Sequence, residues 1–335
     1  MAEPVTISLD AMSGDKGAAV VVEAAALELA KRRNIDFILV GDEAVLRPLV
    51  ASNRIDPARV KIVHTDEVVT MQDSARDAIR KKKNSSMRLA INQVKESAAS
   101  ACVSSGNTGA LMATAKFVLK TLPGIDRPAI ISEMPGSAGP VFMLDLGANA
   151  DCSPELLYQF AVMGSVVAHD VTGIENPRVA LLNIGEEESK GDETVREAAA
   201  LIGADSSINY TGFVEGNDIF ESKADVIVTD GFTGNVALKT MEGTASLVAG
   251  YLRQEFTRSW FSRLQAVLAG GVLRRLRAQL DPRHYNGATF IGLNGVVIKS
   301  HGGADAVAFQ HAIETALLEV RAGVAMHIGQ KLDRS

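Results

Sequence analysis

Two turns in the sequence are crowded with glycine, hydroxyl and amide residues, which are groups that bind phosphate. Residues 104–109 and residues 230–235 each follow a short apolar run and precede a helical pattern. The first turn of a helix offers unpaired backbone N–H groups to an anion, and glycine lets a ligand approach the backbone. One such turn alone could serve only to reverse the chain, but two together predict a phosphate site. Its candidate residues are Ser104, Ser105, Gly106, Asn107, Thr108 and Gly109 from the first turn, and Asp230, Gly231, Thr233, Gly234 and Asn235 from the second.

A third polar turn follows another apolar run and contains Asp145, Asn149 and Asp151. These three residues lack the spacing of an EF-hand or a zinc protease, so helix capping and hydrogen bonding explain them better than a metal. We therefore expect no metal and no cofactor. Asp145 and Asn149 remain candidates for the substrate site.

Lys190 comes after three consecutive glutamates at 186–188. The glutamates could form a solvated, acidic helix start, which the helix dipole favours. Alternatively, a carboxylate could hold Lys190 as a charge clamp aimed at an anionic substrate. The pattern supports the two interpretations equally.

The elements that position these turns alternate between strand and helix, which predicts a mostly parallel sheet. Residues 129–133 and 141–146 are strand patterns joined by a glycine-proline turn, so we expect one antiparallel pair within that sheet. The helix after the second glycine turn is expected to begin at Val236, with Thr233 or Asn235 as its cap. Open α/β sheets bind ligands at the carboxyl ends of their strands, where the polar turns stand.

Residues 251–280 have apolar residues at helical spacing on both sides of Gly270 and predict an inserted amphipathic helical hairpin. The segment contains six arginines and one acid, within a chain of net charge −6. A dimer interface, a dock for an acidic partner protein and a membrane anchor are three competing interpretations. We expect the base to serve the dimer and the acidic partner, and the tip to touch lipid. The membrane or partner candidates are Trp260, Leu264, Val267, Leu268, Leu273, Arg263, Arg274, Arg275 and Arg277.

The composition excludes several classes of protein. The chain has 335 residues, 47% of them hydrophobic, and a net charge of −6, which describes an ordinary globular protein and argues against nucleic-acid binding. Its two cysteines, Cys102 and Cys152, lack metal-type spacing and favour a reducing cytoplasm. Neither a secretory leader nor a bilayer-spanning run is expected.

Several long motifs, in order along nearly the whole chain, resemble the PlsX family of phosphate acyltransferases. They are SSGNTGALM at 104–112, LDLGANADC at 144–152, NIGEEESKG at 183–191, TDGFTGNVALKTMEG at 229–243 and GLNGVVIKSHG at 292–302. The first family motif departs from its pattern here, with Ser13 where a second glycine is usual and Ala18 where a proline is common.

The resemblance implies a three-layer αβα fold similar to isocitrate and isopropylmalate dehydrogenases and to phosphotransacetylases. It also implies a homodimer in the cytoplasm, working at the inner face of the cell membrane. Residues 1–335 would form a single α/β catalytic unit, from which the hairpin at 251–280 protrudes. The substrates would be acyl-acyl carrier protein and inorganic phosphate, and the product acyl phosphate for phospholipid synthesis.

Inorganic phosphate is itself a nucleophile, so this reaction needs positioning and electrostatic stabilisation rather than a covalent serine or cysteine. We expect the two glycine turns to hold phosphate and Lys190 to neutralise charge. Asn183 and His301 are candidate oxyanion or thiolate donors, although a histidine beside glycines is often only a hydrogen-bonded cap. A phosphate acetyltransferase using acyl-CoA and a non-enzymatic scaffold for carrier and membrane are the alternatives.

Overall fold

The computed structural model describes residues 4–272 and 282–332. The strands are β1 (Val5–Asp10), β2 (Ile35–Gly41), β3 (Val60–His64), β4 (Ala101–Ser104), β5 (Ala129–Met134), β6 (Val141–Leu144), β7 (Arg178–Leu182), β8 (Asn209–Val214), β9 (Val226–Val228), β10 (Ala288–Ile291) and β11 (Val296–Lys299). The helices are α1 (Ala18–Lys31), α2 (Glu43–Ser52), α3 (Ala75–Arg80), α4 (Ser86–Lys95), α5 (Thr108–Leu119), α6 (Pro154–Thr172), α7 (Glu193–Ala204), α8 (Gly231–Thr257), α9 (Trp260–Leu268), α10 (Ala306–Ala322) and α11 (Val324–Leu332).

The strands form one sheet in the order β3-β2-β1-β4-β11-β10-β5-β6-β9-β7-β8. The expected antiparallel pairing of β5 with β6 is confirmed, and β10 adds two further antiparallel pairings, with β11 and with β5. The remaining pairings are parallel. These reversals make β1, β4 and β11 run opposite to β6, β9 and β7. The carboxyl ends of β1, β4 and β11 therefore lie at one end of the strands, and those of β6, β9 and β7 lie at the opposite end. These two ends are called the two edges of the sheet below.

Helices cover both faces of the sheet, because nearly every strand buries alternate residues on each side. In β1, for example, Ile7 and Leu9 pack in the core under α1 and α10. Ser8 and Asp10, which alternate with them along the strand, are buried on the other face of the sheet. On the opposite face, α4, α5 and the first turns of α8 pack on a core that includes Met87, Leu111 and Phe290. A mixed α/β fold with a large, mostly parallel sheet is thus confirmed.

Side-chain caps fix where several helices begin. Ser85 and Ser153 accept from the backbone N–H groups of Arg88 and Leu156 at the starts of α4 and α6. The predicted start of α8 at Val236 is wrong, because Asp230 caps the helix and accepts from the N–H of Thr233.

The early start of α8 places two glycines in its first turn, where helix propensity would not put them. A Cβ atom at Gly234 would lie 1.9 Å from the carbonyl oxygen of Asp145, and one at Gly231 would lie 2.6 Å from that of Asn149. Close packing against this neighbouring turn therefore requires glycine at both positions.

The segment that the sequence assigns to a hairpin is continuous with α8, which has 27 residues and ends at Thr257. The short α9 follows and contacts α8. Leu273, Arg274, Arg275 and Arg277 lie outside the described residues. No helix within 4–272 and 282–332 has the length and hydrophobicity needed to cross a bilayer.

A buried carboxyl group lies in a small cavity between the sheet and α10. Glu319 is 4% exposed and accepts a hydrogen bond from Thr289, and Glu133 and Tyr285 line the same cavity of about 60 Å³. Burial raises the pKa of Glu319 to about 7, an effect that the Thr289 hydroxyl partly opposes.

Glu319→Gln is expected to stabilise the protein at alkaline pH. The folded-state pKa lies above the ordinary value of 4.5, so the parent loses stability as pH rises from about 5 to about 8. The full loss is about 3 kcal/mol, and glutamine avoids it. Urea unfolding at both pH values measures the difference.

Glu314 of the same helix provides a control of opposite sign for this prediction. Its carboxylate pairs with His311 and Lys31, which lowers its pKa to about 2. Glu314→Gln should therefore destabilise the protein at neutral pH. Equal pH dependence of stability in Glu319→Gln and the parent would contradict the prediction.

Candidate active site

A cleft of about 620 Å³ lies between α5 and the first turns of α8. Four predicted site residues line it: Thr108 and Gly109 from the start of α5, Asn149 from the turn after β6, and Asn235 from α8. Two cations that the sequence analysis did not single out also line it, Lys116 and Arg127. The other lining residues are Met112, Ala113, Pro128, Ile130, Leu146, Gly147 and Ala148.

The amino end of α5 faces this cleft and is capped by Asn107. The Asn107 side-chain oxygen accepts from the N–H of Ala110 at 3.0 Å, and its amide donates to the carbonyl of Met71 at 2.8 Å. Asn107 thereby anchors the helix start, and the N–H groups of Thr108 and Gly109 in its first turn remain available to an anion in the cleft.

Asp145 organises the wall opposite α5. Its fully buried carboxylate accepts from the backbone N–H groups of Ile130 (2.9 Å), Gly147 (3.2 Å), Ala148 (3.0 Å) and Asn149 (2.7 Å). The side-chain amide of Asn149 donates to the same carboxylate at 2.9 Å. Burial raises the pKa of Asp145, and these hydrogen bonds oppose the rise. Asp145 therefore shapes the cleft from behind its surface.

The two asparagines in the cleft differ in their burial and in how many hydrogen bonds their side-chain amides donate within the protein. Asn149 is buried, and its amide also donates to the carbonyl of Pro128 at 2.9 Å. Asn235 is half-buried, and its amide donates to the carbonyl of Leu146 at 3.1 Å. Gly147, with φ of +130°, makes this approach possible, because a Cβ there would lie 2.9 Å from the Asn235 amide nitrogen.

Lys116 and Arg127 give the cleft positive charge. Both side chains are exposed, and Lys116 donates only weakly, at 3.4 Å, to the carbonyl of Asp126. Within the part of the chain that the structure describes, neither forms an ion pair with a carboxylate. A helical pattern could have indicated Lys116, because it stands seven residues after Gly109 on the same face of α5.

The first glycine turn mostly contacts a different cluster, centred on the fully buried Asp10 at the end of β1. Ser13 and Ser104 donate to its carboxylate, and Ser105 donates to the carbonyl of Ser13 at 3.0 Å. Gly106 donates its N–H to the hydroxyl of Ser104 at 3.1 Å. Burial raises the pKa of Asp10, against the effect of Ser13, Ser86 and Ser104. Ser104, Ser105 and Gly106 are therefore not among the residues that line the cleft.

His301 lies at the same edge of the sheet as Asp10, outside the cleft lining. Its backbone N–H donates to Asn286 at 2.8 Å, and its ring Nδ1 accepts from the N–H of Gly303 at 3.1 Å. Nearby Lys299 is half-buried, and burial lowers its pKa to about 8.

Lys190 and Asn183 lie together in the turn after β7, also outside the cleft lining. The Asn183 amide donates to the carbonyl of Lys190 at 3.2 Å, and Lys190 is exposed. Because β6, β9 and β7 are parallel, this turn shares a sheet edge with the turn after β6 and with Asp230. At that edge Asp230 caps α8, Thr233 is exposed, and Gly231 and Gly234 are buried in packing.

The described part of the hairpin candidate is strongly exposed. Trp260, Val267 and Leu268 of α9 are 77%, 76% and 80% exposed, and Leu264 and Arg263 are exposed as well. The described residues contain no group of three or more histidine, cysteine, aspartate or glutamate side chains that could hold a metal ion.

Solved structures with the same fold include a phosphotransacetylase from Streptococcus pyogenes, at a TM-score of 0.65 and 18% identity over 95% of this chain and 94% of that chain. A 4-hydroxythreonine-4-phosphate dehydrogenase from Klebsiella pneumoniae aligns at a TM-score of 0.55 and 14% identity, over 98% of this chain and 100% of that chain. Proteins that move acyl groups and proteins that oxidise substrates therefore share this architecture, and the fold alone does not choose between them.

Sequence relatives are much closer. A phosphate acyltransferase from Alkalilimnicola ehrlichii is 55% identical over 99% of this chain and 97% of the relative. One from Nitrosococcus oceani is 54% identical over 98% of this chain and 97% of the relative. The family model described as "Fatty acid synthesis protein" matches residues 5–327. The chain therefore belongs to the fatty acid synthesis protein family, the PlsX family that its motifs resemble.

Proposed function

We propose that this protein transfers a long-chain fatty acyl group from acyl-acyl carrier protein to inorganic phosphate, giving acyl phosphate for phospholipid synthesis. The observation that carries the proposal is the cleft, which the amino end of α5, Asn235, Lys116 and Arg127 line together. Helix N–H groups, an amide and two cations are the donors that a phosphate requires. The names of the close relatives support the same chemistry.

In this reaction a phosphate oxygen attacks the carbonyl carbon of the thioester. A C–O bond forms, the tetrahedral intermediate collapses, and the C–S bond breaks to release the carrier thiolate, which takes up, through water, the proton that the hydrogen phosphate gives up. Thr108, Gly109 and Asn235 hold the phosphate, while Lys116 and Arg127 balance its charge and that of the intermediate. No covalent enzyme intermediate and no cofactor are required, so chelators should leave the activity unchanged.

The site residues outside the cleft lining have supporting roles in this proposal. Lys190 adds a charge from the end of the sheet where α8 begins, and Asn183 at that end donates to the oxyanion or the departing thiolate. His301, at the opposite end, is the alternative donor. The others position the cleft: Ser104, Ser105, Gly106, Asn107, Asp145, Asp230, Gly231, Thr233 and Gly234, whereas Asn149 lines it.

The protein acts as a homodimer built on α8, with residues 1–335 as one catalytic unit of the isocitrate and isopropylmalate dehydrogenase type. Within α8 only Gly231 and Gly234 are buried, and the apolar side chains of Leu247, Val248 and Tyr251 are exposed. An apolar helix face of this length is typical of an interface, and a second copy covers it symmetrically.

The hairpin at 251–280 holds the protein at the inner face of the cytoplasmic membrane. Trp260, Leu264, Val267 and Leu268 enter the lipid interface, and Leu273 is a further candidate for lipid contact. Arg263 and the arginines at 274, 275 and 277 contact anionic lipid or carrier, each contributing about 1 kcal/mol at an anionic surface.

The double variant Val267→Glu plus Leu268→Glu should abolish sedimentation with anionic vesicles, because two carboxylates would have to enter the lipid interface. Turnover of soluble acyl carrier should persist. Val45→Glu plus Leu201→Glu, at two exposed apolar positions elsewhere, is the matched control. Sedimentation like that of the parent would refute the membrane role, and loss of the dimer would make the segment chiefly an interface.

Incubation with palmitoyl-acyl carrier protein and labelled phosphate tests the central proposal. Acyl phosphate should accumulate and be trapped by hydroxylamine. The phosphotransacetylase folds favour a second candidate, a phosphate acetyltransferase-like enzyme, and turnover of acyl-CoA alone would establish it. If the protein binds the carrier but forms no acyl phosphate, it would instead be a non-enzymatic scaffold.

A further inference from the structure

An aromatic ring with two cations on it stands on the surface beside the cleft. Phe117 of α5 is 50% exposed. The guanidinium carbon of Arg88 lies 5.0 Å from the centre of its ring, and the ammonium nitrogen of Lys120 lies 4.9 Å from it. Both distances are typical of cation–π contacts, which hold the cations and the ring in one arrangement. We call Arg88, Phe117 and Lys120 the Phe117 patch.

The backbone under this patch is firmly held. Arg88 lies in the first turn of α4, and its Nε donates to Asn92 at 3.3 Å. Lys120 is the C-cap of α5, where its N–H donates to the carbonyl of Lys116 at 3.1 Å and its own carbonyl accepts from Asn294 at 3.1 Å. Binding to a surface fixed in this way costs little ordering entropy.

The charge of the patch is available to a partner. Within residues 4–272 and 282–332, neither Arg88 nor Lys120 forms an ion pair, whereas Arg178 and Lys223 are paired with Asp225 and Asp218. The patch also adjoins the cleft, because Lys116, one turn before Lys120 on α5, lines it. An acidic surface docked on the patch would therefore sit at the entrance to the proposed site.

We propose that the Phe117 patch docks the acidic protein surface of the acyl carrier, so that its thioester arm enters the cleft past Lys116. The inference rests on the proposed function and names the surface that receives its substrate. An exposed aromatic ring provides an apolar contact at the centre, and the two cations around it pair with carboxylates of the carrier. A lipid surface is less suited, since the patch offers one apolar side chain to insert.

Charge reversal tests this proposal. In Arg88→Glu plus Lys120→Glu, KM for palmitoyl-acyl carrier protein should rise by about tenfold or more, and the salt dependence of kcat/KM should flatten. Turnover of palmitoyl-pantetheine, which lacks a protein surface, should stay within about twofold of the parent. Phe117→Ser should raise the same KM without changing the salt dependence.

Arg33→Glu plus Lys61→Glu makes the same change in net charge near strand β3, at the far edge of the sheet, and should leave KM unchanged. An unchanged KM in the patch variant, with normal turnover by the parent, would overturn the docking site while leaving the proposed function intact. A parent that never forms acyl phosphate from the carrier would instead refute the proposed function.

Three further results would reassign the patch. An equal rise in KM for palmitoyl-phosphopantetheine would mean that the patch binds the phosphate of the arm rather than the protein. Loss of binding to anionic vesicles, with carrier kinetics unchanged, would make it a lipid contact. A larger rise in KM for the carrier in Arg263→Glu than in the patch variant would move the docking site to α9.

Discussion

Asp145→Ala is expected to lower the free energy of unfolding by about 3 to 5 kcal/mol and to abolish turnover. The carboxylate accepts hydrogen bonds from four backbone N–H groups. Those of Ile130 and Asn149 belong to buried residues, where water cannot take the place of the carboxylate as acceptor. Alanine leaves these donors without partners, and the cleft wall formed by residues 146–149 loses its support. Urea unfolding and acyl phosphate formation measure the two effects.

Two controls separate this effect from loss of charge or of volume. Asp145→Asn keeps one oxygen, which can still serve Ile130, Gly147 and Ala148, so its loss of stability should be about half as large. The exposed Asp151→Ala should change stability by less than about 0.5 kcal/mol. An alanine variant at 145 that unfolds at the parent's urea concentration would contradict the role assigned to this carboxylate.

Lys190→Met is expected to leave the fold intact and to lower kcat by about 10²-fold, the scale for losing one preorganised charge. The side chain is exposed, and no ion pair of Lys190 exists among the residues that the structure describes, so its removal disturbs no packing. The measurement is kcat at saturating phosphate and carrier, and Lys190→Arg should retain part of the activity.

Arg127→Met tests whether the cleft supplies the charge instead. If Arg127→Met loses about 10²-fold in kcat while Lys190→Met keeps a near-normal rate, the charge on the phosphate is balanced within the cleft and Lys190 has no catalytic role. Lys239→Met, at an exposed position on α8, should behave like the parent.

The sequence by itself determined the local structure. Ser85 and Ser153 cap their helices, because each side-chain oxygen and the backbone N–H group that donates to it are only three residues apart. The alternation of strand and helix and the β5–β6 hairpin also followed from periodicity and turn residues. The long motifs placed the chain in its family.

Only the tertiary structure decided how the site is assembled. Sequence showed two similar glycine turns, but the reversals at β10 and between β5 and β6 put them at opposite sheet edges. Thr108 and Asn235 still line one cleft, because α5 and α8 pack on the same face of the sheet. Lys116 and Arg127 line the same cleft, and Gly234 is required by its close approach to the carbonyl oxygen of Asp145. Strand order, register and close approach depend on residues far apart in the chain, which no local pattern encodes.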